Sequence, residues 1–460
     1  MPHMFRHYVP VRLVLRVTGD AVVAFGSVYA GLALPVVGLP AVSPSWGWTL
    51  PAATVLTLAS LMMLHLTGLY DLQERYGRRE LFLRLFLAFA GAYLAMAALG
   101  FFVHALALGR LALAVSFMIA LGGAFLLRIV EADFTDESFT RRKVLLLGVG
   151  TVPELIKETI DAYHANYEIV GCVNGDPEKA GTDANGLRIL GSVGDLGWIT
   201  KITRPHLVVV AMEERRGALP LPAILDCKLQ GIQVEDWPTF YERVTGKIPI
   251  IRLRPSWLVF AEGFTKSHLT VVLKRGMDIA LSAIGIAASL PLLPIIAIAI
   301  KLDSAGPVFF RQERMGQNGR VFSLLKFRSM RMDSRRLGPT AEGHDPRVTR
   351  VGRVLRITRL DEMPQLFNVL RGEMSMVGPR PEWVALVPEF QDTVPFYLHR
   401  LAVKPGITGW AQVRNSYGAS VENTIEKLQY DLYYIKNHSL FLDILILLHT
   451  VQAVLFGRGH

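Results

Sequence analysis

Four apolar stretches near the start of the chain constrain its fold more than any other feature. They run from roughly 17 to 39, 48 to 70, 81 to 103 and 108 to 130, and each has about the 20 residues that a helix needs to cross a bilayer. Only 19% of the residues are charged and 51% are hydrophobic, which favours long segments solvated by lipid. We therefore predict a membrane protein with a bundle of four transmembrane helices over residues 1–135. Long buried helices of a soluble protein are the alternative.

The positive charges around these stretches predict their orientation. The cations on one side of the four stretches are Arg6, Arg12, Arg16, Arg75, Arg78, Arg79, Arg141, Arg142 and Lys143, whereas the other two loops carry only Arg110. The positive-inside rule then places the N-terminus and everything after residue 130 in the cytoplasm. The net charge of +10 suits phosphorylated substrates, anionic lipid or nucleic acid. Because the cations lie beside membrane segments, we expect lipid and phosphate partners and no nucleic acid.

A small α/β domain is predicted over residues 140–262. The segment "RRKVLLLGVGTVPELIKETI" combines a strand, a Gly-Val-Gly turn and a helix, and further strands are expected at "YEIVGCV" and "PHLVVVAM". The turn is similar to the first half of a dinucleotide fingerprint, so the domain is Rossmann-like. Pro153 stands where the third glycine would be, however, and Asn174 stands where an acidic residue would hold a ribose. We therefore favour structural packing over nucleotide binding and expect no cofactor here.

A fifth apolar stretch, residues 277–302, is long enough to span but is broken in the middle. Pro291 and Pro294 each remove a backbone hydrogen bond, and cations flank both ends of the stretch. This pattern favours a re-entrant helix that enters the membrane, bends and returns on the same side. An ordinary kinked span is the alternative. The last apolar stretch, 440–456, is short and interrupted, which favours a helix that lies in the interface or packs on the domain.

Between these two stretches the chain is strongly basic yet contains an adjacent acidic pair, Asp361 and Glu362. The cations that lead up to the pair are Arg311, Arg314, Arg320, Lys326, Arg328, Arg331, Arg335, Arg336, Arg347, Arg350, Arg353, Arg356 and Arg359. Pro364 suits a first helical turn, so we expect a helix to begin at or just before it. The helix dipole, Arg356 and Arg359 should favour the ionised forms of both acids. Such carboxylates can bind Mg²⁺ or attack phosphorus, and a helix-capping acid in ordinary ion pairs is an equally good interpretation.

Several motifs in order resemble one known family. They are "KRGMDIA", "GPVFFRQERMGQNGRVFSLLKFRSM", "TRLDEMPQLFNVLRGEMSMVGPRP", "VKPGITGWAQV" and "YDLYYIKN". Over about residues 270 to 456 the chain resembles the bacterial polyprenyl-phosphate hexose-1-phosphate transferases, the monotopic phosphoglycosyl transferases. The four spans and the α/β domain resemble the long form of this family, and "FRHYVPVRLVLRVTGD" looks closest to the exosortase-associated members. The resemblance implies a mostly α-helical catalytic domain with a re-entrant helix over residues 268–460.

The resemblance also implies a reaction at the cytoplasmic face of the bacterial inner membrane. Asp361 would attack the β-phosphate of a UDP-sugar and release UMP, and undecaprenyl phosphate would then accept the sugar phosphate from the covalent Asp intermediate. Glu362, with Asp361 beside it, would bind Mg²⁺. This step would begin exopolysaccharide or O-antigen assembly. A homo-oligomer such as a dimer is also compatible with the resemblance.

Further site residues follow from the matched motifs. The resemblance assigns the substrate phosphates and pocket to Lys326, Arg328, Arg359, Pro379, Arg380 and Gln412, together with Asp431, whose role it leaves open. For the loop 405–409 a purely structural role is an equal alternative. The family commonly breaks its re-entrant helix at a Ser-Pro pair. Here Ser289 stands one place earlier, so that Ser289, Pro291 and Pro294 would share the bend.

Two other classes of function remain open at this point. The "LLLGVG" segment allows a nucleotide-dependent membrane oxidoreductase or epimerase, and the basic domain allows a non-catalytic scaffold of a polysaccharide export complex. The sequence does not identify the sugar. Glucose and galactose are common in long-form relatives, and N-acetylated sugars are compatible as well.

Overall fold

The computed structural model of the protein falls into two compact units, formed mainly by Tyr8–Lys247 and Ile248–His460. The structure describes residues 3–4, 7–8, 11–33, 46–70, 76–134, 141–163, 165–175, 178, 180–212, 219–253, 255–331, 347–414 and 421–456. Arg6, Arg75, Arg335 and Arg336, and the predicted domain boundaries at residues 135 and 140, lie outside the described residues. Two short strands, His3–Met4 and His7–Tyr8, precede the first helix.

The four predicted membrane helices are present in the first unit. They are α1 (Val11–Ala33), α2 (Trp46–Leu66), α3 (Arg78–Phe102) and α4 (Arg110–Phe134), and a 3-10 turn, His104–Leu106, joins the last two. Each contains a stretch long and apolar enough to cross a bilayer. Helix α1 begins about six residues before the predicted start near 17, because Arg16 lies inside it and pairs with Glu131 at 2.7 Å.

Small and large apolar side chains fill the core of this helical bundle. Its fully buried members include Ala53, Leu56, Leu85 and Phe89. Apolar residues are also exposed on the outer faces of the helices, as expected for surfaces that lipid covers. One buried ion pair joins the first and fourth helices. The Arg128 guanidinium contacts the Asp20 carboxylate at 2.7 Å, and both side chains are almost inaccessible.

The predicted α/β region contains a six-stranded sheet. Its strands are β1 (Arg142–Leu147), β2 (Tyr167–Asn174), β3 (Asp183–Ala184), β4 (Leu187–Ser192), β5 (Leu207–Val210) and β6 (Gln233–Asp236). The order across the sheet is β3-β4-β2-β1-β5-β6, parallel except for the short β3. The helices are α5 (Thr151–Ala162), α6 (Leu196–Thr203), α7 (Leu221–Leu229) and α8 (Trp237–Thr245), and a 3-10 turn, Val193–Asp195, precedes α6. Apolar clusters cover both faces of the sheet, which explains the near-continuous apolar strands.

The second unit contains the broken apolar stretch. A 3-10 turn, Ile250–Arg252, and α9 (Pro255–Phe260) precede α10 (His268–Ser289) and α11 (Leu292–Asp303), and the last two helices bend by 62° at their junction. The break therefore falls at Pro291, as predicted. Pro291 has no N–H to donate to Ala287, whose carbonyl instead lies 3.4 Å from the Leu290 N–H. The Ser289 hydroxyl donates to the Ile286 carbonyl at 2.8 Å. Pro294 lies in the first turn of α11, where a proline is tolerated.

Short elements make up the remainder of the second unit. Strands β7 (Phe309–Met315) and β8 (Val321–Phe327) form an antiparallel hairpin around a 3-10 turn, Gln317–Gly319, and β9 (Ser375–Val377) pairs in parallel with β10 (Gly406–Thr408). The helices are α12 (Arg350–Ile357), α13 (Gln365–Arg371), α14 (Val387–Thr393), α15 (Trp410–Arg414), α16 (Val421–Asn437) and α17 (Leu440–Phe456). Further 3-10 turns are Leu360–Glu362, Val384–Leu386 and Tyr397–Ala402.

The last helix, α17, packs on the second unit. Leu442 and Ile446 are fully buried in its largest apolar cluster. Asp443 interrupts the apolar pattern because it accepts hydrogen bonds from Lys274 at 2.8 Å and from the Tyr434 hydroxyl at 2.8 Å. Of the two predicted roles for this stretch, packing on the domain is therefore confirmed.

Candidate active site

The acidic pair lies in a tight turn between two helices. Helix α12 begins where the Thr349 hydroxyl accepts from the Gly352 N–H, and the turn Leu360–Glu362 follows its end. Arg359 precedes the turn with a φ of 58°, a left-handed conformation that is costly for a residue with a side chain. Helix α13 begins at Gln365, just after Pro364 rather than at or before it. Both carboxylates therefore lie in a turn whose backbone conformation is constrained.

Glu362 is held by two cations that are distant in sequence. Its Oε1 atom accepts from Lys326 Nζ at 2.7 Å and from Arg380 Nη2 at 3.3 Å. Burial alone would raise the pKa of Glu362, but the charges of Arg380, Lys326 and Arg359 and the hydrogen bond from Lys326 lower it to about 2. Glu362 is therefore ionised at neutral pH, as predicted.

Asp361 has the opposite electrostatic environment although it is the adjacent residue. It is only 8% exposed, and burial and the charge of Glu362 raise its pKa against the effects of Lys326, Arg356 and Arg359. The prediction that the surroundings favour the ionised form is wrong in direction for Asp361, because the loss of hydration outweighs the neighbouring cations. The two acids thus differ in pKa because their environments differ.

The loop that carries Arg380 is supported by backbone contacts. Gly406 N–H donates to the Pro379 carbonyl at 2.9 Å, and Gly378 N–H donates to the Thr408 carbonyl at 2.9 Å. A Cβ atom on Gly378 would collide with the carbonyl oxygen of Lys404. The loop 405–409 therefore has a clear structural role, since it supports the segment that presents Arg380 to Glu362.

Gln412 lies beside this loop and helps to fold it. Its Nε2 atom donates to the Ile407 carbonyl at 3.1 Å. The side chain therefore orients the loop 405–409, and the observed contact is with backbone. The cleft next to Arg380 is lined by Met315, Gly316, Pro379, Pro381, Tyr397, Leu401 and Val403, among others.

Asp431 acts on the site through Arg400. Its Oδ2 atom accepts from Arg400 Nη2 at 2.8 Å and from Arg400 Nε at 3.1 Å, and both side chains are buried. Arg400 also donates to the Arg380 carbonyl at 3.2 Å and to Glu382 at 3.3 Å. The structure thus places Asp431 behind Arg380, in an ion-pair network that supports the loop.

Arg328 is directed to α11 rather than to the carboxylates. Its guanidinium donates to the carbonyls of Ser304 at 2.6 Å and Ala305 at 3.0 Å, at the end of α11, and the residue is 4% exposed. Of the predicted phosphate ligands, Lys326, Arg359 and Arg380 influence the acidic pair, whereas Arg328 connects β8 to α11.

Two arginines that were not predicted as site residues also belong to this environment. The charge of Arg356 acts on Asp361, and its Nε donates to the Ser329 hydroxyl at 3.0 Å. Arg314 donates to the Pro381 carbonyl at 3.1 Å, and its pKa is lowered by burial and by Arg380. Both lie in the basic run noted in the sequence. The position of Arg356 close to the acids in the chain indicated its charge effect, but nothing in the run distinguishes Arg314 from its other members.

The donor set fits Mg²⁺ when the substrate supplies further ligands. In the described part of the chain, no group of three or more His, Cys, Asp or Glu side chains could hold a metal by itself. Mg²⁺ usually keeps several waters and binds one or two carboxylates plus substrate phosphates. Asp361 and Glu362 are such a pair, so they fit this mode of binding and do not form a closed protein cage.

Comparisons with known proteins give a consistent result. The profile of the family described as "Bacterial sugar transferase" matches residues 269–457. A UDP-N-acetylgalactosamine-undecaprenyl-phosphate N-acetylgalactosaminephosphotransferase from Aeromonas hydrophila is 44% identical over 51% of this chain and 55% of its own length. An undecaprenyl-phosphate glucose phosphotransferase from Komagataeibacter xylinus is 37% identical over 59% of this chain and 55% of its own length. The chain thus spans about half the length of these two relatives.

A third relative covers more of the chain. A UDP-glucose:undecaprenyl-phosphate glucose-1-phosphate transferase from Escherichia coli (strain K12) is 34% identical over 71% of this chain and 70% of its own length. The similarity therefore extends well beyond the second unit.

Proposed function

The chain belongs to the bacterial sugar transferase family, and from this premise we propose that it transfers a sugar 1-phosphate from a UDP-sugar to undecaprenyl phosphate and releases UMP. The names of the relatives describe transfers of this kind to undecaprenyl phosphate. The observation that carries the proposal is the acidic pair, in which Lys326 and Arg380 hold Glu362 while Asp361 is buried beside them. Family membership favours a transferase over the oxidoreductase, epimerase and scaffold alternatives.

The proposed reaction has two displacements at phosphorus. A carboxylate oxygen of Asp361 attacks the β-phosphorus of the UDP-sugar, the bond from that phosphorus to the bridging oxygen breaks, and UMP leaves with the electron pair. A phosphate oxygen of undecaprenyl phosphate then attacks the same phosphorus. The acyl-phosphate bond breaks, Asp361 regains its carboxylate, and the product is a lipid diphosphate sugar.

The surrounding charges suit this chemistry. Lys326 and Arg380 supply donors for phosphate oxygens, and Arg359 adds a third positive charge to the same region. A negative nucleophile and a diphosphate would otherwise repel each other. Glu362, with Asp361 next to it, would hold Mg²⁺, which would neutralise phosphate charge when bound. Pro379 would shape the pocket through the loop that carries Arg380, and Asp431 supports this loop through Arg400. Gln412 orients the neighbouring loop 405–409, and Arg328 contacts the end of α11.

The membrane arrangement follows the same proposal. The helices α10 and α11 form a re-entrant hairpin, supported by the 62° bend and by exposed apolar side chains on both sides of it, such as Leu290, Ile295 and Ile298. Residues 1–135 would form the membrane bundle, 140–262 a Rossmann-like domain, and 268–460 the catalytic domain. The cation distribution supports a cytoplasmic catalytic domain in the inner membrane. The protein would act as a homo-oligomer such as a dimer.

The sugar is best identified by assay, because one relative is named for N-acetylgalactosamine and another for glucose. Purified full-length protein is incubated with undecaprenyl phosphate, Mg²⁺ and a panel of UDP-sugars, and UMP is measured. We expect one or a few UDP-sugars to give UMP and lipid-linked sugar. Release of UMP from none of them would refute the proposed function.

The nucleophile is tested by Asp361→Asn, which keeps the shape of the side chain. We expect it to abolish UMP release and the acid-stable, hydroxylamine-sensitive label that a sugar-phosphoryl-aspartate carries. The control is Asp392→Asn, in the exposed last turn of α14, which should retain activity. Normal turnover by Asp361→Asn would exclude this residue as the nucleophile while leaving the overall transfer intact.

A further inference from the structure

Asn368 makes three side-chain hydrogen bonds in the interior of the second unit. Its Oδ1 atom accepts from the Leu325 N–H at 3.1 Å, and its Nδ2 atom donates to the Ser323 carbonyl at 2.8 Å and to Glu373 Oε2 at 2.7 Å. The residue is fully buried. Both N–H groups of the side-chain amide thus donate a hydrogen bond, and its oxygen accepts one.

Two of these bonds connect α13 to strand β8. The Ser323 carbonyl and the Leu325 N–H lie on the edge of β8 that β7 does not use. Hydrogen-bonded pairs of an antiparallel hairpin recur at every second residue, here in step with Arg320, whose carbonyl accepts from Gly316, and with Arg328, which donates to Val308, and Ser323 and Leu325 alternate with them. In a larger sheet, a peptide group of a neighbouring strand would donate to such a carbonyl and accept from such an N–H. The side-chain amide of Asn368 takes the place of that missing peptide group and satisfies a buried strand edge.

This connection joins the two segments that carry the ion pair of the site. Lys326 directly follows Leu325 on β8, and α13 directly follows the turn that carries Asp361 and Glu362. Apolar packing of Phe322 and Leu324 against Val369 holds the same two segments together. Apolar packing determines which face of β8 points inwards, and the two hydrogen bonds of Asn368 add a directional contact that fixes how β8 lies along α13.

We propose that Asn368 is a positioning residue that sets the register of Lys326 against Asp361 and Glu362. The inference rests on the proposed function, since it concerns phosphoryl transfer at that pair. It also explains why an amide is needed. Aspartate has the same shape but would direct lone pairs at the Ser323 carbonyl and at the Glu373 carboxylate, and alanine would leave all three partners unsatisfied.

The test is a double-mutant cycle on the full-length enzyme. Asn368→Ala, Lys326→Met and the double variant are compared with the unaltered protein by UMP release. Because a displacement of about 1 Å can cost about 100-fold in rate, we expect Asn368→Ala to lower kcat by roughly 10- to 100-fold. In the Lys326→Met background it should cost about twofold or less, because the group that it positions is gone. If Lys326→Met leaves no measurable turnover, the melting temperatures of the two single variants and the double variant are compared instead, and we expect their effects on Tm not to be additive.

A matched control separates positioning from general stability. Asn437 is also a buried asparagine of the second unit, and its Nδ2 atom donates to the Tyr433 carbonyl at 3.2 Å. Asn437→Ala should lower the melting temperature with little change in kcat. Equal loss of kcat in both variants, or additive effects of Asn368→Ala and Lys326→Met, would overturn the inference.

Hydrogen exchange tests the contact without depending on activity. Asn368→Ala should raise the exchange of the segment 321–327, where the Leu325 amide loses its acceptor, and Asn437→Ala should not. Unchanged exchange there would refute the inference even if the enzyme is active. An unaltered protein that releases no UMP would instead refute the proposed function, so the two failures are distinguishable.

Discussion

Replacing Lys326 with methionine removes the closer of the two cations that bind Glu362. Lys326 Nζ lies 2.7 Å from the Glu362 carboxylate, whereas Arg380 Nη2 lies 3.3 Å from it. Methionine keeps an apolar stem of similar length, so the substitution mainly removes the charge. We expect the pKa of Glu362 to rise, because burial then acts against fewer cations.

The size of the effect follows from the pKa of Glu362. A value of about 2, compared with the ordinary 4.5, corresponds to roughly 3 kcal/mol of stabilisation of the folded state at neutral pH. This sets the scale of the effect of Lys326, which shares Glu362 with Arg380 and Arg359 and whose own burial has a cost that lowers its pKa. For a domain of this size, about 3 kcal/mol corresponds to a decrease in Tm of about 10 °C.

The dependence of this effect on pH has a definite sign. The folded-state pKa of Glu362 is lowered, so its stabilisation is fully present above pH 4.5 and is lost as the pH falls towards about 2. The difference in Tm between the unaltered protein and Lys326→Met should therefore be largest near pH 6 to 7 and should shrink below pH 4.5.

The assay is thermal unfolding of the purified protein in detergent from pH 3 to 7. Lys201→Met is the control, because Lys201 is exposed in the last turn of α6 in the other unit. It should change Tm by little at any pH. A Tm of Lys326→Met equal to that of the unaltered protein at pH 7, or a difference that does not depend on pH, would refute the ion-pair argument.

Three further predictions concern other parts of the molecule. Burial raises the pKa of Asp361, so kcat/KM for UMP release should fall as the pH drops through a value above 3.8; a flat profile down to pH 4 would exclude a titrating nucleophile. Gly378→Ala should lower Tm and UMP release, because its Cβ would collide with a facing carbonyl, whereas Gly276→Ala, in open space on a helix, should stabilise by up to about 1 kcal/mol. Asp20→Leu should destabilise the bundle by about 3 to 5 kcal/mol because Arg128 is left buried and unpaired, and adding Arg128→Met should restore most of the loss. Equal melting temperatures for that single and double variant would contradict the last expectation.

Features encoded locally were predictable from the sequence. The four membrane helices follow from apolar stretches of sufficient length, and the break at Pro291 follows from the missing N–H of proline. The parallel sheet follows from short apolar strands that alternate with helices. A membrane helix or its break is encoded in about 20 neighbouring residues, and each strand of the sheet is encoded together with the helix that follows it.

Contacts between distant segments were not predictable from the residues alone. Arg328 and Lys326 are two residues apart, yet one contacts the end of α11 and the other contacts Glu362. The Arg400–Asp431 pair joins residues that are 31 positions apart in the chain. The amide of Asn368 has a role only because β8 has an open edge beside it. A sequence gives the charge of each side chain, but the direction in which it points depends on the tertiary packing.

The pKa values of Asp361 and Glu362 differ, and this difference concerns which acid is the nucleophile and which is the metal ligand. The sequence separates these two roles only through the family resemblance. Two adjacent acids in one turn would be expected to behave alike, but cations lower the pKa of Glu362 to about 2 while burial raises that of Asp361. A carboxylate with a higher pKa is the better nucleophile once ionised, and a strongly acidic one stays charged and suits a cation. The pKa difference is in keeping with the proposed roles of Asp361 as the nucleophile and Glu362 as the Mg²⁺ ligand. It also predicts that exchanging the two residues, as Asp361→Glu with Glu362→Asp, should not preserve activity, because the longer side chain would then lie in the buried position and the shorter one would no longer reach Lys326.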